Sequence, residues 1–379
     1  MLDHTEVAII GGGVIGAAVA YRLAQAGAQV VVLESADRLG AGTSGRSFAW
    51  TNSNEKTPRP YHDLNVAGMR AHAALCDEFG SIPWWHDGGS VEWFATDQAR
   101  AAQAAKVERL QTWGYSAEWI TPGQLHELEP DVDLASVGNA PIAFYADEGW
   151  LDPVVYLHAM LQVAQRHGAT VRTSSHVEHL FVKRGRVGGV ALGGGERLSA
   201  DLVVNCAGRW ADTLDVQDVP VLKLPLVPTL GLLAFTPPIA TGLRRIVRSP
   251  FIHMRPDGAG RLVLHGDDAD ALLTSDTTPD SALPLAQEMV HRAAAVLPSI
   301  GRAVPEAVRI GVRPIPADGL SAVGPMPGVD GYYVVVTHSG VTLSAFLARA
   351  VANEIVHHKP EPRLAPFRPS RLIETGITA

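Results

Sequence analysis

Cysteine is nearly absent: the 379 residues hold two, Cys76 and Cys206. They show no metal-ligand spacing and no disulfide framework, so a reducing cytoplasm is the expected compartment. No apolar run approaches the roughly 20 residues that a membrane span needs. The first strand begins at Val7, which leaves no room for the charged and apolar regions of a secretory leader. Lys and Arg form no stripe and the formal net charge is −8. That balance argues against nucleic acid and gives no attraction to an anionic membrane surface. The 15 histidines include no HExxH-like pair. A closed metal site needs about four convergent ligands, so no metal is expected. What remains is an ordinary soluble composition, 46% hydrophobic and 18% charged. It is long enough for one large α/β domain or two intertwined ones.

Patterning then divides the chain. Glu6–Ile10 reads as a buried strand, Gly11–Gly16 as a glycine turn and Ile15–Ala26 as a helix that ends at Gly27. Gln29–Glu34 is a second, valine-rich strand, which completes a βαβ unit. Leu39–Pro60, rich in Gly, Ser, Thr, Asn and Pro, reads as a long loop of the kind that is usually functional. Helices are expected over Tyr61–Phe79, Gln98–Trp113, Pro284–Leu297 and Thr342–His358. Another starts at Asp152-Pro153, where Asp can cap and proline suits the first position, and stops at Gly168. Strands are expected near Gly89–Ala95, Thr170–Thr173, Val177–Lys183, Arg186–Leu192, Leu202–Asn205, Leu226–Phe235, Arg244–Leu264, Ala307–Arg313 and Tyr332–Thr337. The proline-bearing tail, Pro360–Ala379, reads as extended on the surface.

The strongest chemical signal is Gly11-x-Gly13-x-x-Gly16, with Val14 and Ile15 inside it, set between strand and helix. The first glycine permits the tight turn, the second lets backbone amides approach a pyrophosphate, and the third lets helix and strand pack closely. Glu34, followed by Ser35, stands 18 residues beyond Gly16 at the end of the second strand. An acid there accepts hydrogen bonds from a ribose 2′-hydroxyl and disfavours a 2′-phosphate. The motif alone serves FAD and NAD equally.

Later segments separate the two. They are Gly42-Thr43-Ser44-Gly45-Arg46-Ser47, then Val203-Val204-Asn205-Cys206-Ala207-Gly208-Arg209-Trp210, then Gly311-Val312-Arg313-Pro314-Ile315-Pro316-Ala317-Asp318-Gly319, and last Thr337-His338-Ser339-Gly340-Val341-Thr342-Leu343. In this order, and with Asp147–Pro153 before the central helix, the chain resembles the D-amino-acid oxidase, glycine oxidase and sarcosine oxidase family over nearly its whole length. The resemblance implies a Rossmann-type FAD-binding domain interleaved with a substrate domain on a mostly antiparallel mixed sheet, in an α/β chain. The expected boundaries are 1–80, 151–220 and 306–379 for the FAD-binding parts and the tail, and 81–150 and 221–305 for the substrate parts.

Residue by residue, the resemblance puts Thr43, Ser44, Arg46 and Ser47 at the diphosphate and flavin, and Val177 on the strand that meets the adenine. Ala207, Gly208 and Trp210 fall where the backbone approaches the cofactor closely. His338, Ser339, Gly340, Val341 and Thr342 open a helix at the pyrimidine edge of the flavin. Amides and a helix dipole there would stabilise the negative charge of the reduced ring. Arg313 matches the arginine that pairs with the substrate carboxylate, a task suited to a planar, bidentate guanidinium. Pro316-Ala317-Asp318 departs from the commoner Thr-Pro-Asp run. His253 stands where glycine oxidase-like chains often have tyrosine and is expected to touch substrate; Trp50 and Asn52 lie in the loop near the flavin. Monomeric sarcosine oxidases attach flavin to a cysteine where this chain has Gly311, so the FAD is expected to be non-covalent.

The implied reaction is oxidation of the C–N bond of an amino acid or N-alkyl amino acid. Hydride passes to flavin N5, and the imine is hydrolysed to an oxo-acid plus amine or ammonia, with oxygen or another acceptor reoxidising the cofactor. The partners implied are a small amine or amino acid and no nucleic acid; a homo-oligomer or a heteromer is compatible. Two alternatives use the same fold: a 2-hydroxy-acid type oxidoreductase acting at C–OH, and the FAD-bearing subunit of a heteromeric amine oxidase or dehydrogenase.

Overall fold

The computed structural model describes residues 4–216 and 226–373. Strand β1 (His4–Ile10), helix α1 (Val14–Gln25) and strand β2 (Val30–Leu33) form the βαβ unit. Val7–Ile10 and Val30–Leu33 are apolar at every position because both faces of the sheet are covered there. Val7 and Ile9 of β1, with Val30 and Val32 of β2, face α1 and its helical neighbours; Ala8, Ile10, Val31 and Leu33 face the opposite core. Gly27, at φ +94°, turns the chain from α1 into β2, a conformation that carries little cost only for glycine.

This unit seeds a nine-stranded sheet. β1 runs parallel to β2 and to Arg197–Asn205; β2 runs parallel to Thr170–Arg172, and Tyr332–Val336 parallel to Arg197–Asn205. Val177–Lys183 and Arg186–Leu192 extend it as an antiparallel hairpin. Helix Pro153–Arg166 packs beside α1, its start capped by Asp152, which accepts the Val154 and Val155 amides at 3.2 and 3.1 Å. The C-terminal helix, Gly340–His357, packs on α1 and on helix α2 (Arg59–Phe79).

A second, eight-stranded sheet has the order Ala307–Pro316, Leu226–Phe235, Leu262–His265, His253–Pro256, Ile246–Arg248, Ser90–Glu92, Ile142–Tyr145 and Glu118–Ile120. All its pairings are antiparallel except that of Ile246–Arg248 with Ser90–Glu92. Helix Leu283–Val296 covers its own separate apolar core. The chain passes back and forth between the two sheets, so each is assembled from segments distant in sequence.

Three local readings change. The expected loop Leu39–Pro60 contains a 3₁₀ turn at Thr43–Arg46 and a short strand at Trp50–Thr51, and α2 begins at Arg59 with proline in its first turn. The strand expected to end at Arg313 continues to Pro316, because Leu226–Phe235 pairs with it along its whole length. The tail is not extended: Pro362–Phe367 and Pro369–Leu372 form 3₁₀ turns that bury Leu364 and Phe367; residues 374–379 lie outside the described chain. Phe367 packs against Tyr61 at 5.8 Å between ring centroids, and Arg368 bonds both oxygens of Glu354 at 2.9 and 2.5 Å.

Phe367 is buried in the apolar core around α1 and the C-terminal helix, so removing its ring leaves a cavity there. Phe367→Ala is therefore expected to cost about 3–5 kcal/mol, measured by chemical denaturation. A change below about 1 kcal/mol would mean that the tail contributes little to the fold.

Candidate active site

The glycine turn is held by contacts that leave no room for side chains. A Cβ on Gly16 would lie 1.9 Å from the Gly11 carbonyl oxygen, one on Gly11 2.7 Å from the Cys206 oxygen, and one on Gly13 2.9 Å from Ser44 Oγ. Ser44 Oγ also accepts the Val14 N–H at 3.1 Å. Apart from that bond, helix α1 has no cap from its own N-cap residue, Gly13, and no acid in its first turn, so the rest of its positive end is available to an anion.

That end opens on a cleft of about 460 Å³ lined by Gly11, Gly13, Glu34, Ser35, Thr43, Ser44, Arg46, Val177, Ala207, Gly208 and Trp210. Gly208 has φ +56°, and the Ala207 N–H donates to Asn205 Oδ1 at 3.0 Å. The Glu34 carboxylate accepts the amides of Gly12 and Ala36, each at 2.9 Å. Those bonds fix its position, and a carboxylate has spare lone pairs for ribose hydroxyls. An elongated cleft with a side-chain-free glycine cradle, a largely uncapped helix start and an anchored acid fits the dinucleotide part of FAD.

A second cleft, of about 320 Å³, continues from the first and shares Thr43 and Arg46 with it. It lies against the second sheet and brings together Ser47, His253, Arg313, His338, Ser339, Val341 and Thr342, with Trp50 and Asn52. The C-terminal helix begins here, again with no side-chain cap and no acid in its first turn. Val14, Ile15, Gly16 and Gly340 line neither cleft. A Cβ on Gly340 would meet Ile15 and Val14 at 3.7–3.9 Å, so these residues bring the two helix starts together.

Arg313 is already engaged by protein groups. Its Nη2 is ion-paired with Asp270 Oδ2, and its Nη1 donates to the Leu230 carbonyl at 3.2 Å. Asp270 also accepts the Leu232 N–H at 2.7 Å and lies 2.9 Å from His265 Nε2. Burial opposes its ionisation, but the His265 hydrogen bond and the His265 and Arg313 charges hold its carboxyl below the usual range. His253 lies across from His265; burial, then the Arg248, His265 and Lys106 charges, keep its imidazole well below the ordinary value. Desolvation, then Lys56 and Arg313, push His338 down to about 3, so it is neutral at ordinary pH.

Sequence reasoning missed several cleft residues: Phe48, Glu55, Lys56, Arg248, His265 and Asp267. Arg248 is buried, bonded to Glu55 at 2.6 Å and Glu92 at 2.9 Å, with its guanidinium carbon 4.8 Å from the Trp50 ring centroid. A charged residue closing the apolar run Ile246-Val247 is the one signal that could have exposed it, since a buried charge requires a partner. Behind Trp50, the fully buried Glu148 accepts Trp50 Nε1–H at 2.9 Å, Ser90 Oγ–H at 2.6 Å and Tyr115 O–H at 2.7 Å. Burial raises its carboxyl to about 7 against those donors.

Among the described residues, His253, His265 and Asp267 have possible ligand atoms within 4.8 Å of one another. The Arg313 guanidinium stands 3.2 Å from His265 Nε2, which Asp270 already engages. A fixed positive charge and a committed ligand both argue against a cation there.

Residues 6–354 match the family described as FAD dependent oxidoreductase (DAO). The chain belongs to this family. It is a flavoenzyme of the amine- and amino-acid-oxidising kind, with FAD as its cofactor. The strand carrying Gly311 offers the flavin no side chain for a covalent bond. The chain is 25% identical to glycine oxidase of Geobacillus kaustophilus over 98% of both chains. The crystal structure of glycine oxidase from that organism superposes with a TM-score of 0.82 at 24% identity, covering 98% of this chain and all of that one. L-proline dehydrogenase from P. horikoshii superposes at 0.83 with 20% identity and 98% coverage of each. Human dimethylglycine dehydrogenase is 24% identical over 97% of this chain, which spans only 44% of that longer protein. Among the described residues no helix is long and apolar enough to cross a membrane.

Two outcomes follow for the cofactor. Gly16→Ala displaces the Gly11 carbonyl and should lower the flavin-to-protein absorbance ratio of the purified enzyme at least several-fold; an unchanged ratio would remove the glycine turn from the FAD site. Acid precipitation of the native enzyme should leave the yellow colour in the supernatant, whereas a yellow pellet would show a covalent bond.

Proposed function

We propose that this flavoenzyme oxidises the C–N bond of an amino acid or N-alkyl amino acid with a free carboxylate. An oxo-acid and an amine or ammonia follow on hydrolysis of the imine. The observation that carries this reading is Arg313, on the cleft wall with its guanidinium braced by Asp270 and the Leu230 carbonyl. Of its five N–H donors, those contacts use two, leaving others for a substrate carboxylate. The cations lining the cleft, Arg46, Lys56, Arg248 and Arg313, outnumber the carboxylates Glu55 and Asp267, which favours an anionic head group.

Bound FAD supplies the acceptor for the electron pair that leaves the substrate carbon. The chain's own residues bind and orient. Arg313 fixes the carboxylate end, and the buried Arg248, stacked on Trp50, stiffens the opposite wall. The neutral His338 adds no charge beside the start of the C-terminal helix. Holding the reacting carbon in one orientation is the protein's main contribution to such a transfer. Glycine oxidase, dimethylglycine dehydrogenase and L-proline dehydrogenase all bear the names of amino-acid substrates, which supports the same class here.

The decisive experiment is anaerobic titration of the yellow enzyme with D-, L- and N-methyl amino acids and 2-hydroxy acids. One amine class is expected to bleach the flavin band. A 2-hydroxy acid that bleaches it faster than every amine would overturn the proposal in favour of C–OH chemistry. For the amine that bleaches it, Arg313→Ala should raise KM roughly 10- to 100-fold, the loss of a charge-assisted hydrogen-bond pair, with Arg313→Lys intermediate. An unchanged KM would remove Arg313 from carboxylate binding.

A further inference from the structure

An amino acid reaches a neutral-pH enzyme as an ammonium ion, and its nitrogen must release a proton before the C–N bond can be oxidised. We infer that His253, backed by His265 and Asp270, is the group that takes this proton. The inference rests on the amine-oxidising reading above and adds the residue that deprotonates the amine.

The argument starts from strand register. His253 and His265 are directly paired on neighbouring antiparallel strands, so their rings emerge on one face. The ring centroids are 5.5 Å apart, with Nδ1 facing Nδ1 at 3.4 Å. On its far side, His265 Nε2 is 2.9 Å from Asp270 Oδ2. Arg313 Nη2 also lies 3.2 Å from His265 Nε2, but it is ion-paired with the same Asp270 oxygen. An ionised carboxylate only accepts and is the nearer partner of Nε2, which places the His265 proton on Nε2 and leaves its Nδ1 bare. Two bare nitrogens facing each other would repel, so His253 carries its proton on Nδ1 and donates it to His265. That leaves His253 Nε2 as a lone pair. Among the described residues Nε2 has no hydrogen-bond partner, and it is not among the buried polar atoms left unsatisfied. The His253 ring lines the same cleft as Arg313.

The charges around His253 explain why two histidines are needed. Arg248 on the adjoining strand, then His265, then Lys106 on helix Asp97–Thr112 oppose a positive imidazolium at His253. Glu55 and Glu92 answer Arg248 and Lys106, whereas Asp267 and Asp270 stand at His265 and Asp270 also at Arg313. A lone His253 would hold a proton poorly. The proton instead moves through: one ammonium N–H bond breaks with its electron pair left on nitrogen, and an N–H bond forms at His253 Nε2. The His253 Nδ1–H bond then breaks as one forms at His265 Nδ1. The resulting imidazolium lies against the Asp270 carboxylate, charge is conserved, and nothing is oxidised or reduced. The cations that weaken His253 also weaken the bound ammonium's hold on its proton. Asp270 bonds both His265 and Arg313, so the carboxylate anchor and the proton acceptor share one brace, as an α-amino acid's two groups share one carbon.

The test is the pH profile of anaerobic flavin reduction, with glycine, N-methylglycine and proline as probes and the one that bleaches carried forward. Wild type is expected to keep kcat/KM nearly level from about pH 7 to 9. His253→Gln should lose about tenfold per pH unit below the free amine's pKa, because only the pre-formed neutral amine then reacts, and should approach wild type at high pH. A variant profile parallel to that of wild type would overturn the relay while leaving the amine reading intact. No bleaching by any amine would overturn both. Should the variant lose its flavin, ¹⁵N NMR of the wild-type holoenzyme decides: protons on His253 Nδ1 and His265 Nε2 support the relay, and the reverse tautomers sink it.

Discussion

The site depends on one seam, the 3₁₀ turn Thr43–Arg46 stitched to both sheets. On one side Ser44 Oγ accepts the first amide of α1. On the other, Thr43 Oγ1 donates to the Val312 carbonyl at 2.7 Å and Arg46 Nη1 to the Ile310 carbonyl at 3.1 Å. Gly311 completes the fit, since a Cβ there would lie 2.8 Å from the Arg46 carbonyl oxygen. The glycine turn and the strand of Arg313 are thereby fixed relative to each other by three hydrogen bonds and a close backbone approach. Transfer between two bound molecules tolerates little misplacement, and on the proposed reading, with cofactor against one sheet and substrate against the other, this seam sets their separation. The same turn lines both clefts, which sets them side by side.

Around that seam the protein buries an unusual amount of charge. Glu92 is fully buried and accepts from Lys106, Arg248 and the Tyr145 hydroxyl at 2.7, 2.9 and 2.6 Å. Such clusters seldom add net stability, but removing one member costs about 3–5 kcal/mol because the others are left unpaired in a poor solvent. Their value lies in rigidity: Arg248 holds Trp50 on one side while Glu148 holds its indole N–H on the other. A large aromatic wall with one face and its N–H edge held in this way resists drifting into the cleft. The tail contributes at longer range, because Phe367 packs on Tyr61, whose hydroxyl meets Ser339 Oγ at 2.9 Å where the C-terminal helix begins.

What was legible in the sequence was local. The βαβ unit, the Asp152 cap and the hairpin Val177–Leu192 each follow from residues within a few positions of one another, through periodicity, capping or turn chemistry. So do the four flavin segments, whose glycines and hydroxyls are short fixed patterns. The cluster around Arg313 was not legible, since Asp270 sits 43 positions away and belongs to a four-residue helix with no amphipathic pattern. Arg248 and Glu55, 193 positions apart, meet only through the pairing of Ile246–Arg248 with Ser90–Glu92 and the course of the loop after Trp50. The tail misled because its prolines read as extended chain. Leu364 and Phe367 stand three apart, the spacing that aligns side chains in a 3₁₀ turn, and that pair was the overlooked sign of packing.

The Arg313–Asp270 pair also bears on selectivity. A bare guanidinium would attract any anion, whether chloride, phosphate or carboxylate. Neutralised in part by Asp270 and turned by the Leu230 carbonyl, Arg313 presents directional donors rather than a diffuse field, and directional donors reward a planar carboxylate. The remaining positive character comes from Arg46, Lys56 and Arg248, the last of which is answered by Glu55 and Glu92. The cleft keeps a positive excess that draws anions, while the direction of its donors selects among them. On the proposed reading, a molecule that brings a carboxylate and an ionisable nitrogen on one carbon would meet Arg313 and the paired histidines together.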